Sequence, residues 1–353
     1  TGTVVMVYRN GEQLFQRAAG FADREAQRPV QLDTIFRLAS VTKPIVAATA
    51  LVLVERGQLN LADRVSDHLP WFHPRTSDGE IAEITVHQLL THTSGIVYDP
   101  ALEALPADRA MTMGLSNTDL DLEANFNRHN EIPLAFRPGT RWGYGMSIDI
   151  LGAIIAKVFG GTLEEAVVAL VAGPLGMIDT RFHVTDPERL AVAYADASPV
   201  PIRMPDPYSP PADGGWTVKF SPGRIFNPLA FQSGGAGMAG TAGDIITFLD
   251  MLRAGGKSLL SADMVDAGFR NQIGDISRDE PGTKFGYFGA VIGDPKATLS
   301  PQSAGTIRWG GVYGLDWFID RQQGLTALTV TNNAVEGCMG NYPTRIVNAI
   351  YGI

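Results

Sequence analysis

From Ile45 to Val54 the chain is apolar at every position except Thr49. A helix that is hydrophobic all round is buried on all sides, so this stretch predicts a core helix, stopped at Gly57. Thr3 to Tyr8 and Gln13 to Gly20 flank Asn10-Gly11, the strongest short signal for a β-hairpin. A short strand at Ile35-Phe36-Arg37 leads into the buried helix. From about Leu61 to Phe226 the pattern is helical and loop-rich, with helices predicted at Thr85–Leu90, Ser147–Phe159 and Leu163–Val171; Gly160-Gly161 ends the second sharply. Pro199 to Pro211 is a proline-rich irregular excursion, of the kind that often walls an active site. A further helix starts at Thr241 or Asp244 and runs to Arg253. Gly305 to Gly310, Leu315 to Asp320 and Leu325 to Thr331 read as a meander, and a helix from Pro343 to Tyr351 closes the chain.

Strands at both ends with helices between predict an α+β fold: an antiparallel sheet flanked by helices, with an inserted helical domain. Residues 1–63 and 230–353 then form the sheet-bearing α/β domain and residues 64–229 a mainly helical domain with irregular loops. Active sites favour the seam between two such units.

Composition narrows the function classes. With 353 residues, 45% apolar and 18% charged, the chain can bury a large core. A net charge of −9 argues against nucleic acid or an anionic membrane surface as partner. The longest apolar run, Pro44 to Val54, is too short to span a membrane. The single cysteine, Cys338, excludes an intrachain disulfide and fits a reducing compartment, which makes a cytoplasmic location the expectation. The chain enters a strand almost at once from Thr1, which suggests a preceding segment and leaves export open. Cys338 itself is expected to be buried and inert.

The candidate chemistry begins at Ser40-Val41-Thr42-Lys43, at the head of the core helix. A hydroxyl and an amine three positions apart on a helix face the same way, and such a pair can activate a serine without histidine. Ser40 is placed as the N-cap, and burial is expected to lower the Lys43 pKa and free a neutral amine. Alone, a four-residue pattern of this kind arises by chance. Two further pieces join it. Tyr144 lies in a glycine-flanked turn, Arg141 to Ser147, just before a predicted helix; near a cationic lysine a tyrosine gains phenolate character. Trp309-Gly310-Gly311-Val312-Tyr313 ends a strand, where glycine admits a substrate close to the backbone and leaves N–H groups for an oxyanion.

In this order the three motifs resemble the serine esterases of family VIII, whose fold is that of class C β-lactamases and DD-peptidases. Leu89 to Gly95, Pro174 to Met177, Ser233 to Met238 and Thr331-Asn332-Asn333 extend the resemblance along nearly the whole chain. It implies Ser40 as nucleophile, Lys43 as its hydrogen-bonded partner and Tyr144 as general base, alone or as a Lys–Tyr pair. It also implies an oxyanion hole from the backbone N–H groups of Ser40 and Val312. Trp309, Gly310, Gly311 and Tyr313 are expected to contact substrate.

Two departures from the lactamases narrow the substrate. Trp309-Gly310-Gly311 stands where they carry Lys-Thr-Gly, so the cation for a lactam carboxylate is missing, and alternation turns Arg308 to the face opposite Trp309. Gly145-Met146 follow the tyrosine where lactamases have a residue and then Asn. Both changes favour neutral, apolar esters; Gly145 also replaces the serine common in these esterases. The six histidines all lie before residue 184, and there is no Gly-x-Ser-x-Gly, so a histidine triad is not expected. His92 reads as a structural hydrogen-bonder at a helix end. His87 and His92 are five apart, the wrong spacing for a shared metal on a helix. The expectation is a cofactor-free, metal-free serine carboxylesterase acting on short-chain esters through an acyl-Ser40 intermediate, with a small-molecule ester as partner. A β-lactamase or DD-peptidase, an acyltransferase, and a silent ligand-binding member of the fold remain the alternatives.

Overall fold

Asn10 and Gly11 both sit at positive φ, 53° and 87°, the geometry that a tight two-residue hairpin turn demands. In the computed structural model, which describes residues 1–103, 105, 106, 110–210 and 218–353, this turn folds β1 (Gly2–Arg9) onto β2 (Glu12–Asp23). After β3 (Arg28–Pro29), β4 (Ile35–Arg37) runs into the nucleophile motif. The middle of the chain adds only the short pair β5 (Tyr194–Ala195) and β6 (Ile202–Arg203), together with β7 (Ala239–Thr241), which pairs β4. The last stretch supplies β8 (Thr283–Phe285), β9 (Ala290–Ile292), β10 (Ile307–Gly311), β11 (Leu315–Asp320) and β12 (Leu325–Thr331). Eight strands form one antiparallel sheet in the order β3-β2-β1-β12-β11-β10-β9-β8. Both chain ends therefore meet at its centre, where β1 pairs β12 from Thr3↔Thr331 to Arg9↔Leu325.

The apolar run forms α1 (Thr42–Glu55), and every residue from Thr42 to Leu53 is buried. The helix starts one residue later than expected. Ser40 lies in a 3₁₀ turn, Ala39–Val41, and the N-cap of α1 is Val41, with no side-chain cap. Ala39 holds φ at +44°, a left-handed conformation unfavourable for a residue with a Cβ. The nucleophile motif is thus presented on a strained turn ahead of the helix, and the Ser40 hydroxyl is not spent on capping.

Capping also explains the other helices. Thr85 and Gln88 make a capping box before Val86–Leu90, Thr162 and Glu165 make another before Leu163–Val167, and the Thr241 side chain caps Ala242–Arg253. The Leu163 helix continues as a wider π turn, Val168–Ala172, in which the Gly173 N–H reaches the Val168 carbonyl at 2.8 Å. Ser147–Phe159 forms as the periodicity predicts and ends at Gly160, φ +80°. One core joins α1, the Ser147–Phe159 and Ala242–Arg253 helices and one face of the sheet. A smaller cluster on the other face, Val7, Phe318, Leu325 and Ala327, is covered by the closing Asn341–Tyr351 helix. The proline-rich excursion carries the β6 strand; its last residue, Pro211, lies outside the described residues. No helix among the described residues is long and apolar enough to cross a membrane.

Candidate active site

Ser40, Lys43 and Tyr144 converge. The Tyr144 hydroxyl lies 2.7 Å from Ser40 Oγ, and Lys43 Nζ donates to Ser40 Oγ at 3.2 Å. Lys43 is 4% exposed, and its three N–H donors meet three acceptors: Ser40 Oγ, the Tyr98 hydroxyl at 3.1 Å and the Gly235 carbonyl at 2.8 Å. Its ammonium also faces the Tyr144 ring, 4.6 Å from the centroid. Burial pulls the Lys43 pKa down, but the phenol oxygens of Tyr144 and Tyr98 outweigh it, and the net direction is up. The direction is thus opposite to the lowering expected from burial alone, because the surroundings of this lysine are acceptors rather than hydrocarbon.

Distant segments position these groups. Gly145 fits because a Cβ there would lie 2.2 Å from the Ile96 carbonyl oxygen, so the serine common at this position in family VIII cannot be housed. That contact, with Tyr98 N–H donating to the Tyr144 carbonyl at 3.1 Å, docks the Tyr144 turn on residues 96–98. Ser94 and Ser147 hydroxyls meet at 2.8 Å and tie the same two segments again. On the other side of Lys43, buried Asp149 accepts from Ser233 Oγ at 2.5 Å, which fixes the loop that offers the Gly235 carbonyl.

Trp309 reaches Tyr144 from the sheet. Its Nε1–H donates to the Tyr144 hydroxyl at 3.3 Å, with ring centroids 5.0 Å apart. Ser40, Tyr98, Tyr144, Trp309, Gly310 and Val312 line one cavity of about 600 Å³. Gly311 does not line it. A Cβ on Gly311 would stand 2.2 Å from the Leu38 carbonyl oxygen, so this glycine lets β10 lie against the Ser40 turn. Tyr313 also points elsewhere: it packs on Phe220, centroids 5.1 Å apart, and under Arg37, and lines a separate small pocket. Its bulk turns away because the chain reverses at Gly314, φ +114°.

His92 packs behind Tyr144 with its ring tilted by 59°, ring centroids 4.9 Å apart. It is 1% exposed, and burial, with Lys43 and Arg278 adding, holds its pKa well below the usual histidine value. Its backbone makes the helix-end hydrogen bonds, with Gly143 N–H donating to the His92 carbonyl at 2.9 Å, whereas the ring Nδ1 has no partner among the described residues. The ring is a neutral spacer, not the hydrogen-bonder expected. Cys338 is only partly buried and lines the cavity, with its thiol pKa pushed up by burial and by Asp316. Among the described residues no group of three or more His, Cys, Asp or Glu could hold a metal ion.

Two cavity residues escaped the sequence reading. Tyr98 lacks a motif of its own; only its place three residues after the Ser94-Gly95 turn hinted at it. Arg278 comes from the segment before β8 and brings a further positively charged side chain to the cavity besides Lys43. Its guanidinium carbon sits 4.5 Å from the Trp142 ring centre and 5.6 Å from that of Trp309, its Nη1 donates to Thr283 Oγ1 at 2.8 Å, and burial lowers its pKa to about 10.

A sequence model of the family described as Beta-lactamase matches residues 1–348. The chain belongs to the Beta-lactamase family. Within that family it is 47% identical, over 356 aligned residues, to Esterase EstB of Burkholderia gladioli, covering 99% of this chain and 90% of that protein. It is 29% identical over 332 residues to a lovastatin esterase of Penicillium rubens, covering 85% and 79% of the two chains. The solved structure of EstCE1, a hydrolase with promiscuous acyltransferase activity, superposes with a TM-score of 0.94 at 36% identity over 99% of this chain and 93% of its own. The Beta-lactamase fold accounts for the antiparallel sheet, the buried helix behind it and the helical insertion.

Proposed function

We propose that this protein is a serine carboxylesterase that hydrolyses short-chain carboxylic esters through an acyl-enzyme on Ser40. The observation that carries the reading is the contact of Ser40 Oγ with both Tyr144 (2.7 Å) and Lys43 (3.2 Å) at the floor of one cavity. The likeness to proteins named esterases supports it. Tyr144, as the phenolate beside the Lys43 cation and the Trp309 N–H, takes the Ser40 proton as Oγ attacks the ester carbonyl carbon. The oxyanion is received by the backbone N–H groups of Ser40 and Val312, a role worth about 3–4 kcal/mol per donor in acyl transfer. As the C–O bond breaks, Tyr144 returns the proton to the leaving alkoxide. Water then attacks the acyl carbon while Tyr144 takes its proton, and Ser40 regains a proton as the acid departs. Lys43 keeps its charge throughout.

The site sits where the sheet-bearing unit (1–63 and 230–353) meets the helical unit (64–229), the division we adopt. A cytoplasmic location follows only from the lone cysteine. Measured kcat/KM on 4-nitrophenyl butyrate and on nitrocefin tests the reading, with a fluorophosphonate to locate the nucleophile. Ester turnover with label on Ser40 is expected. Dominant lactam turnover would replace the esterase with a lactamase, and dominant transfer to an added alcohol would make it an acyltransferase.

A further inference from the structure

A buried carboxylate that the proton transfers do not use stands behind Lys43. Asp149, in the first turn of the Ser147–Phe159 helix, is 0% exposed. Its Oδ1 accepts from Ser233 Oγ at 2.5 Å, within the range of a hydrogen bond to an ionised oxygen. Its Oδ2 accepts no hydrogen bond from the described residues. That oxygen lies against Gly235, 2.4 Å from where a Cβ would stand, and the Gly235 carbonyl accepts from Lys43 Nζ at 2.8 Å. One residue thus separates a buried carboxylate from the buried ammonium, and only glycine permits the approach.

The charges around this pair are few. Tyr98 and Tyr144 face Lys43, and His92 lies neutral behind Tyr144. Arg224, which donates to the Ser116 and Phe231 carbonyls, is the other cation near Asp149. Burial pushes the Asp149 carboxyl up from its ordinary value, whereas Ser233, Lys43, the Gly235 amide and Arg224 pull it down. Asp149 in turn helps to hold the Lys43 pKa up. An ion buried without a partner is costly, so each of the two favours the charged form of the other. Tyr144 is an anion for only part of the cycle: once it has taken the Ser40 proton it is neutral and no longer balances the ammonium. A carboxylate that exchanges no proton with substrate keeps Lys43 charged through that interval.

We propose that Asp149 is a positioning residue for the Ser40 reaction: a permanent counter-charge, acting across Gly235, that keeps Lys43 protonated while Tyr144 gains and loses its proton. The proposal rests on the esterase reading, and wild-type turnover of propyl butyrate at pH 7 tests that reading alone. The pH dependence of kcat/KM for the same ester tests Asp149, since it reports the essential groups of the free enzyme. Without the carboxylate the ammonium gives up its proton at lower pH. The alkaline limb of the wild type is expected at or above that of an ordinary lysine, about pH 10, and that of Asp149→Asn at least about one unit lower, a tenfold change in proton affinity. Asn keeps the shape and an acceptor for Ser233. Ser233→Ala cuts the loop tie but leaves the charge, and is expected to lower kcat/KM by one factor across the range with the limb unmoved. An Asp149→Asn profile lowered uniformly, its limb where the wild type has it, would overturn the proposal. So would a limb that Ser233→Ala moves as far, because loop geometry would then explain both. A wild-type limb below about pH 9 would overturn it with no variant needed.

Discussion

The buried interior treats polar atoms in opposite ways at Ser40 and at His129. Around Ser40 the hydrogen bonds are closed within the protein: Lys43 spends its three donors on Ser40, Tyr98 and Gly235, and Tyr144 takes Ser40 and Trp309. Around His129 they are left open, with neither ring nitrogen partnered among the described residues. Closed networks fix a geometry and a charge before substrate arrives, which is what electrostatic stabilisation of a transition state requires. Unpaired groups buried away from water instead carry a desolvation cost.

If the closed network is the reacting one, damage there must dominate. Ser40→Ala is expected to lower ester kcat by at least about 10⁴-fold with the fold intact, as judged by circular dichroism. Retained turnover would end the distinction between the two. Tyr144→Phe removes the proton carrier and is expected to reduce kcat by about 10² to 10⁴-fold with little change in KM. A change confined to KM would move Tyr144 from proton transfer to binding.

Smaller substitutions sharpen the contrast. Tyr98→Phe strips one acceptor from the Lys43 ammonium and leaves a buried N–H unpaired, so kcat is expected to fall about tenfold in stopped-flow or steady-state assays. An unchanged kcat would show that the cation does not depend on a complete set of partners. Unpaired polar atoms sealed away from the cavity and from Lys43 should act on stability alone. His129 is 4% exposed, stacked on Phe126 at 6.2 Å, and neither ring nitrogen has a partner among the described residues. Burial lowers its pKa from 6.5 to about 4, so on acidification the unfolded chain takes up the proton first. Its stabilising share is whole above pH 6.5 and is lost as pH falls towards 4, about 3 kcal/mol in all. Urea unfolding at pH 7 and pH 4.5 should show that loss, and His129→Phe should remove most of it without touching the ester kinetics. An equal loss in the variant would assign the acid sensitivity to other groups.

Much of this protein is legible along the chain because the signals are local. Asn10-Gly11 dictates its hairpin, the unbroken Ile45–Val54 run its buried helix, and Thr85 with Gln88 a capped helix start, each through contacts within a few residues. The motif residues Ser40, Lys43 and Tyr144 are legible too, through spacing and resemblance. Local pattern misleads where the outcome is a sum over distant groups. Ser40 looks like an N-cap, but β4 and the strain at Ala39 delay the helix to Thr42. Tyr313 looks like a neighbour of the oxyanion strand, but the turn at Gly314 swings it to Arg37.

The sequence alone thus determined the elements and their order, through periodicity and short-range sterics, and marked Ser40, Lys43 and Tyr144 as candidates through spacing and resemblance. Only the tertiary structure decided the direction of the Lys43 pKa shift and the entry of Tyr98 and Arg278 into the site. The reason is physical: a buried charge is set by the balance between lost hydration and the partners within a few ångströms. Here those partners, Tyr98, Tyr144 and Gly235, lie 55, 101 and 192 residues from Lys43 along the chain and meet only when it folds.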